Sequence, residues 1–171
     1  MPNMVVRLLL FLSSYFPLAL ILFFLLREAR PVIASGVLGV GLLGVAGMAL
    51  YLFVVRSLNP LTIEIASVIR RDGEAMSYIV TYLVPFLAAP FGSLEEGIGL
   101  GIFFIMLAVL YVNSDMIHIN PMLNLVGYHV YEIELANGEV RSLIARRRVR
   151  RGQQVSVVSA STDVMLEVKE R

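Results

Sequence analysis

The sequence has no cysteine, which excludes disulfides and every thiolate metal site. It has two histidines, His118 and His129, so a zinc site would have to recruit Asp115, Glu132 or groups from elsewhere. Neither a metal nor a cofactor is expected. Charge is scarce: 16 % of the 171 residues are charged, against 58 % hydrophobic. Lysine occurs once and arginine thirteen times. Residues 8–26, 32–55, 77–94 and 98–113 form four apolar runs with no charge at all. Proton-coupled pumps and most ion transporters need ionisable groups inside the membrane, so these runs argue against both.

What is abundant is sequence apolar enough for a bilayer. Each run approaches the roughly 20 residues that cross about 30 Å of hydrocarbon. Spans are expected at about 5–26, 32–55, 76–94 and 97–114, with a cytoplasmic loop at 56–75. The first reads as a retained helix: it outlasts a signal-peptide core, no small-x-small cleavage site ends it, and Arg27, Glu28 and Arg30 follow directly. Pro85 and Pro90 interrupt the third. With four spans both termini share one side, which holds twelve basic residues. The other side holds Arg27 and Arg30, with Glu95 and Glu96. The positive-inside rule then places both termini in the cytoplasm.

The loop at 56–75 contains a strand-like stretch, Ile63, Ile65 and Val68 to Ile69, after Asn59-Pro60 and before an Asp72-Gly73 turn. A lone strand is unstable in water and needs partners. The tail supplies four: YHVYEIEL, EVRSLIA, QQVSVVSA and DVMLEVKE, the first two joined by Ala136-Asn137-Gly138, a hairpin signal. The expected architecture is a membrane α-helical protein with four transmembrane helices over residues 1–127. A small cytoplasmic β-rich domain, barrel or sandwich, follows over 128–171 and recruits the loop strand.

On the second span Ser35, Gly36, Gly39, Ala46 and Gly47 share one helix face, which allows close approach of another helix of the same bundle or of a neighbouring subunit. GIGLG at 97–101 lacks the preceding strand and following lysine of a phosphate loop, so it reads as helix packing. On the third span Ser77, Thr81 and Pro85 form a polar seam beside Tyr78, Tyr82 and Phe86. That seam suits contact with a facing helix.

The stretch YVNSDMIHINPMLNLVGYHVYEIEL, residues 111–135, passes from apolar helix to strand through polar residues. Asp115 and His118 could meet on one helical turn, but only Ser114 accompanies them as a nucleophile, so no catalytic residue is assigned. Asn120-Pro121 must end or bend the helix, and Gly127 can take the positive φ that redirects the chain. These residues mark a joint between helix and tail, followed by Tyr128, His129 and Tyr131. ARRRVRR then places Arg146, Arg147, Arg148, Arg150 and Arg151 in six positions. They can enforce topology as a solvated loop, meet anionic lipid headgroups, or bind an acidic partner or nucleic acid. Arginine's planar fork favours carboxylate or phosphate.

The order of these parts, with MSYIVTYLVPF in the third helix and the 111–135 stretch leading into a β tail, resembles KwaA, the membrane subunit of the Kiwa anti-phage defence system. The resemblance runs by motif over roughly residues 60–135 and by layout beyond. It carries over Tyr82 and Pro85 in the third helix, and Asn120, Pro121, Asn124, Gly127 and Tyr128 after the fourth. It implies a non-enzymatic oligomer in the bacterial inner membrane that senses phage assault and controls a cytoplasmic DNA-binding partner, KwaB. Direct nucleic-acid binding by this chain is not expected. In that setting 120–127 is a coupling joint, and Tyr128, Tyr131 and the arginines are contacts for partner or lipid. Two other functions fit the same residues: a small pore that depolarises the membrane, and a membrane-anchored accessory protein with a small β-barrel tail.

Overall fold

A computed structural model describes residues 3–88, 93–114 and 119–168. Asp115, His118 and Pro90 lie outside the described residues, as does the side chain of Tyr82.

The first apolar run is two helices rather than one. Helix α1 (Met4–Ser14) ends at Tyr15 and α2 (Phe16–Leu26) leaves at 54° to it. Pro17, in the first turn of α2, has no N–H for the carbonyl one turn back, and its ring collides with that carbonyl in a continuous helix. Ser13 and Ser14 complete the break by donating their hydroxyls to the carbonyls of Leu10 and Phe11.

Helix α3 (Pro31–Arg56) packs along both. Its buried residues Ala34, Gly41, Gly44, Met48 and Val55 follow alternating three- and four-residue steps, with half-buried Val37 and Tyr51 filling the gaps. A Cβ on Gly44 would lie 2.5 Å from the backbone nitrogen of Ser13, on Gly47 2.8 Å from Leu9 Cβ, and on Gly41 2.9 Å from Ala19 Cβ. The packed glycine line is therefore Gly41, Gly44 and Gly47. Gly36 and Gly39 face open space, and Ser35 beside them is exposed.

Helices α4 (Asp72–Ala88) and α5 (Leu94–Asn113) follow, then the five-residue α6 (Pro121–Leu125). Among the described residues, α3 and the 95–113 part of α5 are long and apolar enough to cross a membrane; α1 with α2 makes a third if the bent pair is one span. Helix α4 falls short, being 17 residues long and opening with Asp72 and Glu74. Asp72-Gly73, expected as a turn, is instead the first turn of that helix. Among the described residues the hydroxyls of its polar seam bond within α4: Ser77 donates to Gly73 O and Thr81 to Ser77 O. The aromatic residues do bridge helices. Phe11 is fully buried, with its ring 4.6 Å from Tyr15, 5.1 Å from Phe104 and 5.4 Å from Tyr111.

Strands β1 (Leu61–Arg70), β2 (His129–Leu135), β3 (Val140–Ala145), β4 (Gln154–Ser159) and β5 (Val164–Glu167) close into a barrel in the order β1-β2-β3-β5-β4. Strand β1 closes it by bending at a register shift between Ile65 and Ser67, so that Leu61 to Glu64 pair with β4 and Ile65 to Arg70 with β2. The β2–β3 hairpin turns at Gly138, φ +83°. Neighbouring strands are antiparallel except β3 and β5. Alternate residues on β3, β4 and β5 go to two different cores. Leu143, Val155, Val157 and Met165 fill the barrel with Ile65 and Ile133. Ile144, Val158, Val164 and Leu166 face out and join Val55, Met122, Leu123 and Tyr128 of the helical side. The weak alternation of these strands has this cause: both faces are buried.

Candidate functional site at the joint of barrel and helices

The joint is held at its start by Asn120, which is fully buried. Its Oδ1 accepts from the Met122 N–H at 3.0 Å, capping α6, while Nδ2 donates to Leu10 O at 3.0 Å and Ser13 Oγ at 2.6 Å. One side chain thus ties the start of α6 to the end of α1 where the first span breaks. Pro121 takes the first helical position, where no N–H is required. The far end of α6 closes with Tyr128 N–H on Leu123 O at 2.9 Å and Gly127 N–H on Asn124 O at 3.0 Å. Gly127 has φ +84°, the left-handed conformation this paired closure requires. Asn124 contributes its backbone carbonyl, and its side-chain Oδ1 is buried without a partner among the described residues.

A second tie crosses from the start of α4 to the start of β2. Asp72 Oδ1 accepts from the Val130 N–H at 2.8 Å, and Oδ2 meets Arg70 Nε at 2.6 Å and His129 Nδ1 at 3.0 Å. Beside it Arg71 places NH2 3.2 and 3.1 Å from the two carboxylate oxygens of Glu132, and its N–H donates to Val130 O at 2.9 Å. Burial pushes the Asp72 carboxyl up. The Val130 N–H, the Arg70 and His129 bonds and the Arg70 charge outweigh this and hold it below the usual carboxylate value. This contribution to stability is fully present above the ordinary value of about 4 and fades as the pH falls through the lower folded value. Asp72→Asn is expected to lower the melting temperature at pH 7, with the gap to the wild type narrowing as the pH falls below about 4; an unchanged melting temperature at pH 7 would contradict this role.

The arginine run links β3 to β4 across the barrel end, and its members separate. Val149 is buried in the barrel core and pins the loop. Gly152, φ +74°, donates to Ile65 O at 2.8 Å. Arg147 pairs with Glu167, Arg146 lies over the Tyr128 ring, and Arg148, Arg150 and Arg151 line an open groove with Gly152 and Gln153. Tyr128 is buried, and Tyr131 points into the barrel with its hydroxyl 3.4 Å from Arg147 O. Sequence patterns missed Arg70, Arg71, Asp72, His129 and Glu132 as one group. Their contacts span about sixty residues, and the only local trace was an aspartate in the first turn of a helix. No group of three or more metal-ligating side chains occurs among the described residues.

The helices and the joint define a class: a membrane-associated protein carrying a small five-stranded barrel fixed to its helices by buried polar ties. The chain belongs to the family of the anti-phage protein KwaA, which it matches over residues 6–166. It is 25 % identical over 87 residues to the Kiwa protein KwaA of Escherichia coli O55:H7 (strain RM12579 / EPEC), a match covering 49 % of this chain and 45 % of that relative. No solved structure matches the chain. Family membership supports a role in defence against phage.

Proposed function

We propose that this chain is a non-enzymatic sensor and scaffold of anti-phage defence. It crosses the bacterial inner membrane four times, with α4 as the third crossing, keeps both termini in the cytoplasm, and assembles with copies of itself. Its barrel docks and controls a cytoplasmic DNA-binding partner of the KwaB kind. The observation that carries this reading is the origin of β1. The barrel is closed by a strand lying between α3 and α4, and Asp72 and Arg71 tie that strand's end to β2. A shift of α3 or α4 in the membrane therefore acts on two sides of the barrel. The open groove of Arg148, Arg150 and Arg151 offers acidic side chains of a partner three cations that have no carboxylate of their own among the described residues. The open faces at Gly36 and Gly39 on α3, and at Gly97 and Gly101 on α5, suit contact between copies.

Two variants test the reading in cells carrying the full defence locus. Pro121→Ala with Gly127→Val alters the joint, forcing a β-branched residue into a left-handed conformation at a cost of roughly 1–3 kcal/mol. Arg148→Glu with Arg150→Glu reverses the groove. Both proteins are expected in the membrane fraction, with loss of phage protection and less co-purified cytoplasmic partner. Normal protection and partner recovery in both would overturn the scaffold reading. Conductance that persists without partner binding would identify a pore.

A further inference from the structure

The geometry points to a phosphate-binding site made by Arg56 and Arg146 on the ring of Tyr128, its phosphate supplied by an anionic phospholipid headgroup. Arg56 is the last residue of α3 and Arg146 the first after β3, yet their guanidinium carbons lie 5.5 and 4.7 Å from the centre of one ring. Tyr128 is only 2 % exposed and holds that ring fixed at the end of α6, while both arginines are exposed. Of the other arginines, Arg70 is paired with Asp72, Arg71 with Glu132 and Arg147 with Glu167, while Arg148, Arg150 and Arg151 line the separate groove. Neither Arg56 nor Arg146 has an acidic partner among the described residues.

Two like charges at most about 10 Å apart repel, and an aromatic face offsets this only in part. A group carrying negative charge on several oxygens can accept from both planar forks at once, and phosphate does so in the geometry arginine prefers. Position selects the source. Helix α3 has 26 residues and is about 39 Å long, more than the roughly 30 Å of hydrocarbon, so its end lies at headgroup depth. The pair is separate from the Arg148, Arg150 and Arg151 groove, and it rests on α3 crossing the membrane but not on any partner docking.

The test uses the full chain in detergent, without a partner protein, titrated with phosphatidylglycerol, phosphatidylcholine or inorganic phosphate. Native mass spectrometry counts bound lipid and thermal unfolding reads stabilisation. Phosphatidylglycerol is expected to bind more tightly than phosphatidylcholine, and Arg56→Gln with Arg146→Gln to weaken it by about tenfold or more. Arg148→Gln with Arg150→Gln should leave it within about twofold. Arg146→Lys keeps the charge and the stem while losing the fork. It should give an intermediate loss, and it serves if the double variant fails to fold. Stabilisation by inorganic phosphate that the double variant abolishes, without lipid selectivity, supports the site and assigns it a soluble phosphate. Wild-type binding of all three ligands by both the double variant and Arg146→Lys would overturn the proposal, whereas failure of partner docking alone would leave it standing.

Discussion

Replacing Gly44 by leucine is expected to unfold the helical domain or lower its unfolding midpoint severely. The new Cβ would meet backbone atoms, Ser13 N at 2.5 Å and Leu12 C at 2.6 Å, so relief requires α1 to move off α3 as a body. Overpacking against side chains typically costs about 1–3 kcal/mol, and a backbone obstacle places this site at or above the top of that range. The neighbouring glycines grade the effect. Gly47 meets Leu9 Cβ at 2.8 Å, which a rotamer change cannot move, so Gly47→Leu also needs a shift of α1, milder than at Gly44 because its nearest neighbours are side-chain rather than backbone atoms. Gly36 and Gly39 face open space, and leucine there should leave the midpoint of an isolated chain nearly unchanged while altering oligomer mass if copies meet on that face. Denaturant titration in detergent with mass determination separates these outcomes. A wild-type midpoint for Gly44→Leu would show that α1 and α3 are not packed as described.

A one-atom change at Asn120 should be nearly as severe. Asn120→Asp replaces a donor by an acceptor facing the Leu10 carbonyl and the Ser13 hydroxyl, in a site with no exposed surface and no cation among its contacts. An uncompensated buried charge of this kind costs roughly 3–5 kcal/mol. The defect has a pH signature of definite sign. Burial raises the folded carboxyl above its unfolded value, so the protonated acid, which can still donate one bond, limits the loss at low pH. Destabilisation then grows as the pH rises through the unfolded value. Melting temperatures at pH 4 and pH 8 should diverge from wild type in that order. A variant indistinguishable from wild type at pH 8 would remove Asn120 as the link between α1 and α6.

Both residues show where sequence patterns carry information and where they stop. Asn120-Pro121 and Gly127 announce a change of direction because each has a local backbone consequence, and the structure puts a helix start and a positive φ there. What Nδ2 of Asn120 reaches, 110 residues away, leaves no local trace. The strands were legible, including β1 in the loop, because turns at Asn137-Gly138 and flexible residues between apolar runs set their limits. The sequence left barrel and sandwich both open, since closure depends on one register shift inside β1. The break at Tyr15 was hidden because α1 and α2 are both apolar, and hydropathy does not register a 54° bend. Among glycines, composition marks a narrow face but not its neighbour: Gly47 was identified for close packing, yet Gly41 and Gly44, which pack from the same helix against α2 and α1, were missed. The arginine run looked like a single charged patch, whereas its members separate into an ion pair, a ring contact and a groove, with Val149 as the anchor.

The place of β1 in the chain also sets an order of events during synthesis. Strand β1 leaves the ribosome before α4 and α5, and its two neighbours β2 and β4 come only after them. At 5–20 residues per second, roughly 5–20 s pass between the appearance of β1 and the last barrel strand. Through that interval β1 is an open edge, the feature that invites mispairing and aggregation. If α4 and α5 cross the membrane as proposed, closure then requires both to have delivered β2 back to the side where β1 waits. A chain with one helix misinserted cannot close its barrel and keeps the edge exposed. In that arrangement completion of the barrel reports correct membrane integration, and an incomplete molecule keeps an edge open to mispairing.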